Sequence, residues 1–443
     1  MKLSKFLSSA LFVALSIGIA LGQMNRIDFR EYELENGLRV ILHKDNSTPI
    51  VAVSIMYHVG SKNENPERTG FAHFFEHLLF EGSKNIGRGQ FDKYVERAGG
   101  TLNANTSFDR TYYFEILPSN QLELGLWLES ERLLHAKVDI VGVETQRQVV
   151  KEERRQRIDN QPYGSILEET MKRAYREHPY KWPVIGSMAH LDAAQEQDYI
   201  DFYRQFYVPE NAILSIAGDI DYDETILLVR KYFGSIPRGG KPIYRPNIVE
   251  PPLGGEVRDT VYDNIQLPAV IMAYRIPAQG TPEFYAVSML GQLLSSGESS
   301  RLYKSLVDEK KLALFVGNFP LGLEDPGVSL AFGICNMGVD PMKIEESIDQ
   351  EIERVKTELI SDREFQKLRN QVENDFISGN SRVAGIAESL ANYKMYFGDA
   401  NLINTELDRY LAVSKDDIRN AARKYFNKDN RVLLYYLPKP VNP

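Results

Sequence analysis

The chain has 443 residues, more than one hydrophobic core usually supports, so we expect two domains of roughly 200 residues each. A hydrophobic content of 43% with 26% charged residues is typical of a globular protein and excludes disorder. The formal net charge of −9 argues against nucleic acid as a partner and favours peptides that carry basic residues. Cys335 is the single cysteine, so an internal disulfide is excluded and stability must come from the core.

Residues 1–22 are typical of a secretory signal peptide. Lys2 and Lys5 precede an apolar run that ends at the small residues Ala20 and Gly22. A membrane anchor is the competing interpretation, because the run approaches the length of a short spanning helix. The apolar run is short and ends in A-x-G, which favours cleavage. Cleavage predicts an exported protein, which we expect in the periplasm, with secretion as the alternative. No later segment is apolar for long enough to cross a bilayer, so we expect no membrane span in the mature chain.

A linker divides the remaining chain into two nearly equal parts. Residues 236–256 hold five prolines and four glycines and show neither a helical nor an alternating apolar pattern. This predicts an N-terminal domain over residues 23–235 and a C-terminal domain over residues 257–443.

The two halves repeat the same patterns. Residues 198–219 and 417–438 each run from a helical pattern through a turn into an alternating strand. Residues 49–61 and 268–280 each form an apolar strand that leads into a helix. This internal duplication predicts the α+β class, with two similar domains that each pack helices on one side of a mostly antiparallel sheet.

The stretch FAHFFEHLLF, residues 71–80, carries the most informative polar residues. It lacks glycine and proline, so we expect a helix, on which His73, Glu76 and His77 share one face. Two imidazoles one turn apart suit a tetrahedral zinc ion, and a glutamate between them lies beside the open position of the metal. Buried structural polar residues are the alternative. However, the aligned positions of the second half hold Ser288, Gly291 and Gln292, so the fold does not require the three residues.

A catalytic zinc site needs a third protein ligand. The helical pattern of residues 143–158 places Gln146, Val149, Val150 and Glu153 on one face. Spacing alone favours Glu153 over Glu152 without excluding the latter, because helix faces are blurred by about one residue.

The motif His-x-x-Glu-His is the inverted zinc signature, and the chain resembles the pitrilysin/insulysin family of metallopeptidases, which includes the mitochondrial processing peptidase. The resemblance covers almost all of the mature chain and is carried by residues 73–77, 99–113, 145–164, 209–221 and 299–306. It implies one Zn2+ per chain, with His73, His77 and Glu153 as ligands and Glu76 as the general base.

Residues 99–117 predict a hairpin of two alternating strands that turns at residues 107–110. In the family the first of these strands is an exposed edge that binds peptide by strand addition. The resemblance therefore implies that the substrate-binding residues are Leu102, Asn103, Ala104 and Asn105.

The chain departs from the family in its second half. Active members carry an arginine and a tyrosine seven residues apart that hold the bound peptide, whereas this chain has Val307 and Leu314 at those places. Gln146 likewise stands where many members have a second carboxylate. We therefore expect a heterodimer with a homologous subunit that supplies the missing pair, or otherwise a homodimer.

Two functions follow from the residues and the resemblance. The first is a zinc-dependent endopeptidase that hydrolyses extended or unfolded peptides, with this chain as the catalytic subunit. The alternative is a non-catalytic peptide-binding or scaffold relative in a larger complex, a function known in the family. The intact ligands and base favour the first, and the missing arginine and tyrosine favour the second.

Overall fold

The computed structural model describes residues 26–440, so the predicted signal peptide lies outside the described residues. Its strands are β1 (Arg30–Glu33), β2 (Arg39–Lys44), β3 (Ile50–Tyr57), β4 (Thr101–Thr106), β5 (Thr111–Pro118), β6 (Ala212–Gly218), β7 (Val257–Asp263), β8 (Ala269–Arg275), β9 (Ala313–Leu321), β10 (Val328–Cys335) and β11 (Arg431–Pro438). Its α-helices are α1 (Phe71–Leu78), α2 (Phe91–Arg97), α3 (Leu122–His135), α4 (Ile140–Arg154), α5 (Ile166–Ala174), α6 (Met188–Ala193), α7 (Glu196–Phe206), α8 (Tyr222–Phe233), α9 (Pro282–Ser295), α10 (Pro341–Thr357), α11 (Asp362–Gly379), α12 (Val383–Phe397), α13 (Leu402–Leu411) and α14 (Lys415–Tyr425).

The strands form two sheets with the same topology. The first has the order β1-β2-β6-β3-β5-β4 and the second the order β7-β11-β8-β10-β9. Without β1, the strands match one to one, and each sheet has a single parallel pair, β2 with β6 and β7 with β11. All other pairings are antiparallel. The predicted α+β class with internal duplication is confirmed.

Each half covers one face of its own sheet and lends a helix to the other half. On β3, residues such as Val53 and Ile55 face the core beneath α1 and α3, whereas Ala52 and Met56 face the opposite side. That opposite side is covered by α12, which comes from the second half. In return, α5 of the first half packs on the outer face of the second sheet. The two halves are therefore joined through shared apolar cores.

The apolar face of α1 anchors this helix to the first sheet. Phe71, Phe74, Phe75 and Leu78 are all buried in the core of the first half. The helix begins after Gly70, whose φ of +95° is strained for any residue with a side chain, and whose added Cβ would lie 2.7 Å from a backbone oxygen. The polar edge of α1 is consequently held in one orientation.

A buried arginine fixes the other end of α1. Arg132 of α3 donates a hydrogen bond of 2.9 Å to the carbonyl of Leu79, just past the end of α1. Within the core the guanidinium lies 3.0 Å from Glu129 and 3.5 Å from Glu115. The guanidinium also lies 4.2 Å from the ring centre of Tyr113. Both ends of the helix are thus tied to neighbouring elements.

Among the described residues, no helix combines the length and apolarity needed to cross a membrane.

Candidate metal centre

Two histidines lie side by side on the polar edge of α1. His73 and His77 are one helical turn apart, with their ring centres 4.9 Å from each other. The side chain of His73 is 11% exposed and that of His77 25%. Glu76 lies between them in sequence and is also partly buried. The spacing of the motif predicted this shared face, and the structure has it.

The third side chain comes from the last turn of α4, which packs against α1. Glu153 Oε2 lies 3.0 Å from His77 Nε2 and 3.6 Å from His73 Nε2. One possible ligand atom from each of the three side chains lies within 4.8 Å of the others, and no other such group of His, Cys, Asp or Glu is found in residues 26–440. Glu152, the alternative by spacing, instead contacts Arg155 and Gln156 on the outer side of α4.

These three side chains fit a zinc ion. Tetrahedral zinc with ligand bonds of about 2.0–2.2 Å places its ligand atoms about 3.4 Å apart, close to the two distances measured from Glu153. Glu153 Oε2 is buried and has no well-formed hydrogen bond within the described residues, although His77 Nε2 lies 3.0 Å away. A buried carboxylate oxygen without a donor is costly unless a cation lies beside it. Histidine nitrogen with carboxylate oxygen is a donor set typical of zinc enzymes.

The protonation states also suit a metal. Burial, with a contribution from the nearby His77, lowers the pKa of His73 to about 4, so this imidazole is neutral at pH 7. The His77 imidazole lowers the pKa of Glu153 against the effect of burial, so Glu153 is ionised. Metal ions bind neutral imidazole and ionised carboxylate. His73 and Glu153 therefore already have the protonation states in which these side chains bind a divalent cation.

Glu76 lies outside the converging group and has its own partner. Thr106, the last residue of β4, donates a hydrogen bond of 2.6 Å from Oγ1 to Glu76 Oε2. Burial raises the pKa of Glu76 above its usual value, and the Thr106 hydroxyl opposes that rise. A carboxylate with a raised pKa beside a metal site is suited to proton transfer near neutral pH.

Two contacts of this site were not predicted from the sequence. Thr106 is one, and no local pattern links it to a helix 30 residues earlier. Arg157, in the π-helical turn that follows α4, is the other, and its Nη1 lies 2.7 Å from Glu153 Oε1. The spacing of four residues between Glu153 and Arg157 is the helical ion-pair pattern and was a usable signal.

The predicted substrate strand lies at the edge of the first sheet. Strand β4 pairs only with β5 among the described strands, and the hairpin turns at residues 107–110 as predicted. The side chains of Leu102 and Ala104 are half-buried, whereas those of Asn103 and Asn105 are exposed. The N–H of Ala104 donates a 2.8 Å hydrogen bond to the side chain of Asn103. Because β4 ends at Thr106, its open edge leads to Glu76.

The family departure at Gln146 also has a structural counterpart. The Gln146 side-chain amide donates to Glu81, a nearly buried carboxylate that is also 2.8 Å from Arg88.

A cavity of about 290 Å³ opens beside His73 and Glu153 and is lined mainly by apolar side chains, among them Phe108, Met171 and Ile185. A larger cavity of about 650 Å³ lies in the second half and contains none of the residues that converge here.

Comparisons with known proteins identify the family of this chain. The family model described as Insulinase (Peptidase family M16) matches residues 39–187, and that described as Peptidase M16 inactive domain matches residues 193–372. Zinc protease PqqE of Helicobacter pylori is 33% identical over 410 residues, which are 91% of this chain and 92% of that protein. A protease structure from Helicobacter pylori matches with a TM-score of 0.89 and 31% identity, over 93% of this chain and all of that one.

The periplasmic protease PqqL from Escherichia coli has the same fold, with a TM-score of 0.75 at 17% identity. The match spans 96% of this chain but 49% of that protein. Two α+β halves of one topology, with His73, His77 and Glu153 brought together in the first, define a two-domain protein with a candidate metal centre. The chain belongs to peptidase family M16, as a member of half length, which confirms the resemblance predicted from its motifs.

Proposed function

We propose that this protein is a zinc-dependent endopeptidase in which His73, His77 and Glu153 hold one Zn2+. The observation that carries the proposal is that one possible ligand atom from each of these side chains, on two helices, lies within 4.8 Å of the others. When bound, zinc would supply Lewis acidity that lowers the pKa of a water molecule to about 7 and polarises the scissile carbonyl.

Glu76 would act as the general base. It shares the edge of α1 with both histidines, yet its carboxylate is held by Thr106 and not by the converging group. From this place it takes a proton as water attacks the peptide carbonyl and later donates that proton to the leaving amine. The apolar cavity beside His73 offers room for a substrate side chain.

The substrate would be an extended peptide added to the edge of β4, along Leu102, Asn103, Ala104 and Asn105. A new strand would replace the local hydrogen bond from the Ala104 N–H to the Asn103 side chain. Pairing through the main chain is largely indifferent to sequence, so extended or unfolded peptides of varied sequence would bind. The net charge of −9 favours peptides with basic residues.

The decisive experiment combines zinc analysis with peptide hydrolysis. We expect close to one zinc per chain and cleavage of quenched fluorogenic peptides that stops on chelation and returns on adding zinc, because zinc activates the water. Bound zinc without any cleavage, alone or with a partner, would favour the non-catalytic scaffold. No bound zinc would remove the metal from the proposal.

A homologous partner is part of the proposal. Val307 packs against the core of the second half, and Leu314 at the edge strand β9 is 61% exposed, so neither offers the polar side chain that active relatives have there. PqqL is about twice as long as the region that matches this chain, which supports the pairing of this chain with a second chain of similar length. We therefore propose a heterodimer, with a homodimer as the alternative. The signal-peptide pattern of residues 1–22 is the basis for proposing that it lies in the periplasm.

Co-purification from the native source tests the partner. We expect a second M16 chain of similar length that carries an arginine and a tyrosine at the places of Val307 and Leu314, because these would complete the peptide-binding site. Mass spectrometry of the purified complex identifies it. Cleavage at full rate by a homodimer of this chain alone would contradict the heterodimer.

A change at Thr106 tests the role of Glu76 through the pH dependence of hydrolysis. Thr106→Val removes the hydroxyl that donates to Glu76, and since that bond favours the ionised carboxylate, its loss raises the pKa of Glu76. The base works only when ionised, so activity falls as the pH drops through this pKa. We expect the acidic limb of the kcat/KM profile to move to higher pH, whereas Thr106→Ser should keep the wild-type limb. An unshifted limb in the valine variant would show that this hydrogen bond does not tune the base.

A further inference from the structure

The connection between β3 and α1 is longer than its counterpart in the second half. Residues 58–70 join β3 to α1, whereas the six residues 276–281 join β8 to α9. The first connection is thirteen residues long, and it leads into the helix that bears His73 and His77. The added length therefore occurs in the copy that has the metal-binding residues.

One residue of this connection caps α1. Glu64 is 3% exposed, and its two carboxylate oxygens accept hydrogen bonds of 2.8 Å from the N–H groups of Gly70 and Ala72. The first N–H groups of a helix have no partner inside the helix, and Gly70 has no side chain to serve as a cap. Glu64 thus determines where the first turn of α1, and with it His73, lies.

A second residue of the connection ties it to the other half of the molecule. The Lys62 side chain is 4% exposed, and its Nζ lies 3.0 Å from Asp109 and 3.3 Å from Asp325, and also contacts Glu324. Asp109 belongs to the turn between β4 and β5, whereas Glu324 and Asp325 follow β9 in the second half. A buried charged lysine is costly without carboxylate partners, and Lys62 has three of them.

The carboxylates are themselves held by the first half. His58 Nε2 lies 2.9 Å from Glu324, and His178 Nε2 lies 3.3 Å from Asp325. The backbone N–H of Glu324 also donates a 3.0 Å hydrogen bond to Asp109. The loop after β9 is therefore enclosed on several sides by residues of the first half.

Lys62 lies within one turn of 3₁₀ helix, residues 61–63, and Glu64 follows that turn directly, so the two residues are joined by a short ordered segment. We propose that Glu324 and Asp325 are positioning residues of the metal centre. By fixing Lys62 they hold Glu64 against the start of α1, and so set the distance from His73 and His77 to Glu153. The effect on zinc rests on the proposed function, whereas the effect on α1 does not.

The test uses the full chain with Glu324→Gln and Asp325→Asn combined, which keeps the shape of both side chains. We expect amide hydrogen exchange in residues 71–79 to be about tenfold faster in the variant than in the wild type, because the cap is released. Exchange in the core strands is the internal reference and should not change. Zinc affinity, measured with zinc alone against a competing chelator, should fall by about 10–100-fold, as for other residues that orient ligands.

Glu388→Gln is the matched control. Glu388 of α12 pairs with Arg110 at 2.7 Å, so it also links the two halves, but this ion pair does not involve residues 58–70. This variant should leave exchange in residues 71–79 and zinc affinity unchanged. If it loosens α1 as much as the double variant does, joining the halves is the whole role of the cluster and the proposal is wrong.

A milder variant covers the case in which the double variant does not fold. Asp325→Asn alone should weaken zinc binding less in a Glu64→Gln background than in the wild-type background. The reason is that both changes act through the same cap. Additive effects would overturn the proposal. If the wild-type protein binds no zinc, the proposed function fails, but exchange in residues 71–79 of the variants still decides whether the cluster positions α1.

Discussion

Glu76→Gln is expected to keep zinc and to lose peptide hydrolysis by about 10²–10⁴-fold, the usual contribution of a positioned general base. The Glu76 carboxylate is not among the converging ligand atoms, so its replacement leaves the metal-binding set complete. Glutamine has nearly the same shape and accepts the Thr106 hydrogen bond, but it cannot take up a proton at neutral pH. Measurements of kcat/KM and of zinc per chain on the same sample check both parts.

A glutamate on the outer side of α4 supplies the control. Glu152 is next to Glu153 in sequence, but its side chain is 54% exposed and pairs with Arg155. Glu152→Gln should therefore keep both zinc and activity. Hydrolysis by Glu76→Gln within tenfold of wild type would mean that another group removes the proton.

His73→Ala is expected to bind zinc more than about 100-fold more weakly, a larger loss than removal of outer residues that orient ligands. The change removes one of three converging atoms, and two protein ligands do not form a stable zinc site. Since a ligand that binds only the folded state raises its stability, zinc should raise the Tm of the wild type but not of this variant. Thermal denaturation with and without zinc measures the difference.

His135→Ala is the matched control, because this histidine ends α3 and lies outside the converging group. It should retain the zinc-dependent rise in Tm. If His73→Ala still binds zinc with wild-type affinity while hydrolysis continues, His73 is not a ligand and the proposed metal centre is wrong.

Local spacing was sufficient to predict much of this molecule. The alignment of His73, Glu76 and His77 follows from the 3.6-residue helical repeat alone, and α1 has this geometry. The hairpin of β4 and β5 follows from two alternating strands around a short turn. The duplication followed from repeated patterns, because similar apolar patterns fold into similar sheets, and the two sheets share one strand order.

Spacing along the sequence was not sufficient to predict the third converging residue. Glu152 and Glu153 differ by about 100° around α4, and which of them faces α1 depends on how α4 is rotated when it packs. That rotation is set by contacts such as the buried Arg147, which donates to the carbonyl of Ala194 over 2.9 Å. Spacing left both glutamates open, the family resemblance favoured Glu153, and the structure brings Glu153 to the histidines.

The sequence by itself determined the elements, the repeated fold and the helix face on which the two histidines meet, because these depend on residues a few positions apart. Only the tertiary structure decided that Thr106 holds Glu76, that Lys62 reaches the second half, and that α5 and α12 are exchanged between sheets. Those contacts join residues from 30 to more than 300 positions apart. No local pattern specifies such pairs, since they form only when packed elements bring distant side chains together.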